Sequence, residues 1–216
     1  TVRGVSISRY HENITATTNL YYKKTTRTPT LEHRYLRDTT VTDKSKRSRE
    51  LDRSGTLASF RGTVIGSKTY SRGIRQLWAE MFRDDTEVKI HVVNPDHETE
   101  PNYKRAYYND MSTSEFCLAP PGWASWTPRV FEALALSCIP VIVTDGNRLP
   151  FESRTRYQDI ALFVPEKDAS KVKRILKSIP KKQIDSMRSR IRAVSDRFLY
   201  TGTRGDAFDY LMMELR

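Results

Sequence analysis

The sequence predicts an open, doubly wound α/β fold, and three observations carry that prediction. From residue 57 onward, short apolar runs of strand character alternate with segments of helical periodicity, the pattern of βαβ units around a parallel sheet. Polar or glycine-bearing loops follow three of those runs, after Phe60, after Ala119 and after Val143, where such sheets hold ligands. The composition suits a packed chain: 38% of the 216 residues are hydrophobic, and 11 Tyr, 8 Phe and 3 Trp supply bulk for a core.

The elements follow in order. Leu57-Ala58-Ser59-Phe60 is a strand that stops at Arg61-Gly62-Thr63. Residues 70–83 carry Ile74, Leu77, Trp78, Met81 and Phe82 at helical spacing. Val88 to Val93 alternates as a strand, and Tyr103 to Met111 reads as a short helix. Phe116-Cys117-Leu118-Ala119 is a strand closed by Pro120-Pro121-Gly122. Residues 128–137 are helical, with Pro128 suited to the first turn. Ile139 to Val143 is a buried strand, and Ile160 to Val164 is another. Helices follow at 168–178, 181–198 and 205–215.

Composition also excludes. No apolar stretch approaches the roughly 18–20 residues that span a bilayer. Two Cys cannot build a disulfide scaffold or a four-thiolate metal site. Lys and Arg number 37 against 26 Asp and Glu, a net charge of +11, which suits an anionic ligand. Residues 1–55 read as an irregular basic arm or linker and 56–216 as the folded domain. The arm interleaves few aromatics with its charges and carries no binding motif, so nucleic acid is not expected as a partner. The chain begins at Thr1 without a signal peptide, which reads as a processed chain or a piece of a longer one.

The stretch from Phe116 to Phe151 carries the chemistry. A strand leads through Gly122 into a helix with Ser125 and Thr127 at its start and Arg129 in its first turn. Helix-end amides, two hydroxyls and a guanidinium make a diphosphate site without a metal. Glu132 lies one helical turn beyond Arg129, where a carboxylate could accept both hydroxyls of a ribose. The same spacing equally describes a capping pair or a surface ion pair.

This segment resembles the signature of the exostosin-like glycosyltransferases, with Thr127 for the usual Ser and Ser137 for the usual Gly before Cys138. Upstream, Phe60-Arg61-Gly62 is similar to the family's F-R-G, and Tyr70-Ser71-Arg72-Gly73-Ile74-Arg75 to its Y-S-x-G-x-R. Gly205-Asp206-Ala207-Phe208 resembles the closing helix of the plant xylan-xylosyltransferase-like branch. The resemblance implies a Rossmann-like domain, the C-terminal half of a two-domain GT-B enzyme, and a UDP-sugar donor. It puts Arg61 and Gly62 by the phosphates or donor sugar, Arg75 and Arg129 on the diphosphate, Glu132 on the ribose, and Gly122 to Thr127 around the donor.

Rival readings stay open. Gly62 could close a tight turn, Arg75 could pair with Glu80 or another surface acid, Trp123 and Trp126 could be packing residues, and Asp145 could contact the nucleoside or cap the next turn. The resemblance further implies inverting transfer to a glycan or glycoprotein hydroxyl without a metal or other cofactor. The general base and acceptor contacts would belong to an N-terminal domain or companion glycosyltransferase chain, and no catalytic residue is assigned here. It implies residence in the Golgi lumen, anchored through a segment outside this chain, and gives meaning to the Asn13-Ile14-Thr15 glycosylation sequon. Cys117 and Cys138 read as neighbours that form a disulfide or stay as buried thiols. A catalytically incomplete module with a structural or interaction role is the alternative.

Overall fold

The computed structural model describes residues 55–67, 69–94, 101–198 and 207–214. The basic arm up to residue 54, the Asn13 sequon and the Gly205-Asp206 motif lie outside them.

Among the described residues five strands form one sheet: β1 (Ala58–Thr63), β2 (Val88–Val93), β3 (Phe116–Ala119), β4 (Ile139–Ile142) and β5 (Leu162–Phe163). Their order is β2-β1-β3-β4-β5 and every pairing is parallel. All residues of β3 and β4 are buried, so both read as unbroken apolar runs, as strands covered on both faces must. Pro140 is tolerated in β4 because pairing with β5 begins only at Val141, leaving the missing amide outside that ladder.

The helices are α1 (Ile74–Met81), α2 (Pro101–Thr113), α3 (Arg129–Ala135), α4 (Val172–Lys177), α5 (Lys181–Val194) and α6 (Ala207–Glu214). Trp78 of α1 is fully buried, and its indole N–H donates to the Ala169 carbonyl at 2.8 Å, fixing α1 to the turn before α4. Val130, Ala133 and Leu134 of α3 and Ile184, Met187 and Ile191 of α5 enter the core. The basic stretch on α4 and α5 is laced with acids: Lys173 to Asp85 and Glu87, Lys177 to Glu87, and Lys181 to Glu115.

Several boundaries differ from expectation. β1 runs through Arg61 and Gly62 to Thr63, held by β2 up to the Thr63–Val93 pair, so the expected loop after Phe60 starts at Val64. The expected helix over 70–83 divides into a 3-10 turn (Tyr70–Gly73) and α1, because Ser71, Arg72 and Gly73 adopt left-handed φ of 54°, 50° and 77°. The last strand shortens to Leu162–Phe163 after a 3-10 turn at Tyr157–Asp159. The helix expected at 168–178 begins as a 3-10 turn, Glu166–Lys171, and the one at 181–198 ends in another, Ser195–Phe198.

α3 closes with both bonds of a Schellman motif: the Cys138 amide donates to Ala133 O at 2.9 Å and the Ser137 amide to Leu134 O at 3.1 Å. Ser137 therefore takes a left-handed φ of 56°, a position that favours glycine. A disulfide joins Cys117 of β3 to Cys138, next to β4, deciding between the two readings of these cysteines. Among the described residues no helix is long and apolar enough to cross a membrane.

Candidate functional site

The strand order reverses at β1: the chain passes from β1 to β2 on one side and returns to place β3 on the other. That switch point puts the default ligand position of such a sheet, the crevice side, at the carboxyl ends of β1 and β3. Phe60, in the middle of β1, is 1% exposed. Two guanidinium groups lie over its ring, Arg75 at 5.1 Å and Arg129 at 4.6 Å from the centroid. Cation–π attraction between desolvated partners is worth up to about 2 kcal/mol per pair, which offsets part of the repulsion between the like charges.

Arg75 is 7% exposed. Its Nε donates to Pro121 O at 3.0 Å, and its Nη1 donates to Thr63 O at 3.0 Å and to the Tyr70 hydroxyl at 2.6 Å. It thus ties the ends of β1 and the β3 loop together. Arg129 is 8% exposed and its Nη2 donates to Arg61 O at 2.8 Å. Among the described residues its Nε is buried without a hydrogen-bond partner. An orphaned charged donor at a switch point is what an anionic ligand would complete.

Gly62 makes that placement possible. A Cβ there would lie 2.9 Å from Arg129 Nη2 and 3.1 Å from Phe60 Cζ, so any side chain would push the guanidinium off its seat. Glu132, half-buried on α3, accepts a hydrogen bond from the Tyr107 hydroxyl of α2. Burial, and then the Glu132 charge, hold the phenol's pKa well above its ordinary value of 10.0, against the opposing pull of Arg129. Tyr107 therefore remains a donor and orients the carboxylate.

Against this geometry, a model of the Exostosin GT47 domain matches residues 13–179. The chain belongs to the exostosin GT47 family. It is similar to a protein of Arabidopsis thaliana named "Probable beta-1,4-xylosyltransferase" (41% identical over 111 residues, 51% of this chain and 25% of the relative). It is likewise similar to one of Oryza sativa subsp. japonica named "Probable glucuronosyltransferase" (40% over 111 residues, 51% and 24%). The chain spans about a quarter of the length of such relatives.

Within this exostosin GT47 domain, the expected site residues divide into those that converge and those that do not. Gly62, Arg75, Arg129 and the Gly122 loop meet around Phe60; the Ser71 amide donates to Gly122 O at 3.0 Å. The Arg61 side chain turns instead to α2, where its Nε donates to Asp110 Oδ2 at 2.7 Å, with His91 Nε2 3.7 Å from the same oxygen. Only its backbone carbonyl reaches the crevice. Gly62 lies inside a strand, so it does not close a turn. Thr127 Oγ1 accepts the Arg129 amide at 3.4 Å, while the Phe131 and Glu132 amides donate to Pro128 O. The amides opening α3 are thus internally bonded, contrary to the expectation that they face an anion.

Asp145 joins two loops: its Oδ1 accepts the Glu166 amide at 3.3 Å, and its own amide donates to Glu166 Oε1 at 2.9 Å. Ser125 Oγ accepts from Arg72 Nη2 at 3.3 Å. Trp123, 73% exposed, meets Tyr70 edge-on with centroids 5.0 Å apart. Sequence reasoning missed Phe60, Tyr107, Arg72 and Glu166 as members of the site. Arg72 lies at the variable position of the Y-S-x-G-x-R pattern, and Glu166 arrives from beyond β5 with no motif to mark it. Among the described residues no cluster of His, Cys, Asp and Glu could hold a metal ion.

Proposed function

We propose that this domain binds the donor of an inverting glycosyltransferase that moves a sugar from a UDP-sugar to a glycan or glycoprotein hydroxyl. The observation that carries the reading is Arg129, seated over Phe60 by the absence of a side chain at Gly62 and left with a buried, unpartnered Nε. Departure of UDP concentrates negative charge on the diphosphate, and fixed guanidinium groups stabilise that charge more in the transition state than in the ground state. Arg129 is the diphosphate contact, with Arg75 bracing the crevice beside it, and Glu132, oriented by Tyr107, receives the ribose. The charge is supplied by arginine rather than by a metal ion.

The acceptor and its general base belong to a further domain or companion chain. The Cys117–Cys138 disulfide supports an oxidising compartment, in keeping with a Golgi-lumenal enzyme anchored elsewhere in its length. Arg129→Ala tests the reading. UDP affinity should fall about 10- to 100-fold, the worth of a charge-assisted hydrogen bond, and uridine affinity much less. Equal losses for both ligands would make Arg129 a structural residue.

A further inference from the structure

Three arginines approach the crevice, and their partners differ in kind. Arg75 and Arg129 are buried and donate to main-chain carbonyls at the ends of β1 and β3, and Arg75 also to the neutral Tyr70 hydroxyl. Such bonds are part of the fold and have no charge to exchange. The Arg72 side chain is 43% exposed, and its partners are side chains from three other strand-end loops. Nη2 donates to Ser125 Oγ at 3.3 Å after β3, Nη1 to Thr144 Oγ1 at 3.4 Å after β4, and Nη1 also to the Glu166 carboxylate after β5. The left-handed turn at Ser71, Arg72 and Gly73, anchored by the Ser71 amide on Gly122 O, presents this guanidinium to those loops.

We infer that Arg72 is an exchangeable anion contact: Glu166 is its internal partner, and the diphosphate of a bound nucleotide takes the guanidinium over. This rests on the donor-site reading above. A diphosphate carries more charge than one carboxylate and accepts bidentate bonds, so it outcompetes Glu166 for the fork of donors. Glu166 keeps the Asp145 amide at 2.9 Å when Arg72 leaves, so the exchange does not orphan it. Ser125 and Thr144 lose or keep Arg72 together, which couples the loops after β3 and β4 to occupancy. Glu166 is thereby a determinant of donor affinity although it never touches the donor.

The test is calorimetric titration of the full chain and its variants with UDP and with uridine. Arg72→Ala should weaken UDP about 10-fold, the lower end for a charged hydrogen bond because the group is partly screened, and leave uridine within about 2-fold. Glu166→Gln should tighten UDP by roughly 2- to 5-fold with uridine unchanged, and should have no effect in the Arg72→Ala background. Glu166→Gln that weakens UDP, or that acts equally with and without Arg72, overturns the exchange. If Arg72→Ala fails to fold, the Glu166→Gln titration decides alone. An unmodified chain that binds UDP while both variants match it refutes only this inference; an unmodified chain that binds no UDP refutes the donor site as well.

Discussion

Replacing Gly62 with Ala isolates the placement of Arg129 from its presence. The new Cβ would sit 2.9 Å from Arg129 Nη2 and 3.1 Å from Phe60 Cζ, against an ordinary carbon contact of about 3.5–4.0 Å. The Phe60 ring is 1% exposed and has little room, so the guanidinium, at the end of a flexible side chain, moves. Its 2.8 Å bond to Arg61 O should then lengthen or break, and the guanidinium is displaced. Overpacking of this size costs about 1–2 kcal/mol of stability, whereas a lost charge-assisted contact to the diphosphate costs about 1.5–3 kcal/mol of binding, roughly 10- to 100-fold. Calorimetry with UDP and uridine, alongside urea unfolding, reads both quantities. Gly66→Ala is the control, since a Cβ there meets nothing within 4 Å. Because both changes act on one group, Gly62→Ala should add little to Arg129→Ala. UDP affinity that survives Gly62→Ala, or losses that simply add, would refute the reasoning.

Ser137→Gly should stabilise the domain by about 1 kcal/mol, because Ser137 occupies the left-handed position that ends α3 at a cost glycine does not bear; an unchanged urea midpoint would contradict this. Replacing Cys117 and Cys138 together with Ala should lower stability by about 3 kcal/mol, the loop-closure term for a disulfide spanning 21 residues. Reduction of the unmodified chain should move the urea midpoint in the same direction, and a midpoint indifferent to reductant would count against the bridge.

The sheet was legible because each interior strand is an apolar run bounded by Gly, Pro or charge, and Val88–Val93, Phe116–Ala119 and the start of β4 needed no tertiary information. β1 reads short in sequence because Arg61 and Gly62 look like a loop in isolation. What extends the strand is pairing with β2 through Thr63 and the Asp110 carboxylate waiting for Arg61 on α2, both remote in sequence. The same remoteness explains the division among site residues. Arg129 and Gly62 sit in motifs and proved to be a contact pair, whereas Glu166 lies 94 positions from Arg72 and no local pattern joins them. Helix-end amides were expected to bind an anion, but Thr127 and Pro128 already satisfy them, a matter of local geometry that spacing does not encode. Ser137 departs from the usual glycine and still adopts its conformation, so the motif's geometry persists where its residue does not.

In the proposed function this domain is a nucleotide-diphosphate site whose charge is supplied by arginine. The most direct measurement is calorimetric titration of the chain with UDP, uridine and ADP, with and without EDTA. Binding of UDP and, through the same diphosphate and ribose contacts, of ADP is expected, with much weaker binding of uridine and no effect of EDTA. A folded chain that binds none of the three, or binds UDP only when a divalent metal is present, would contradict that function.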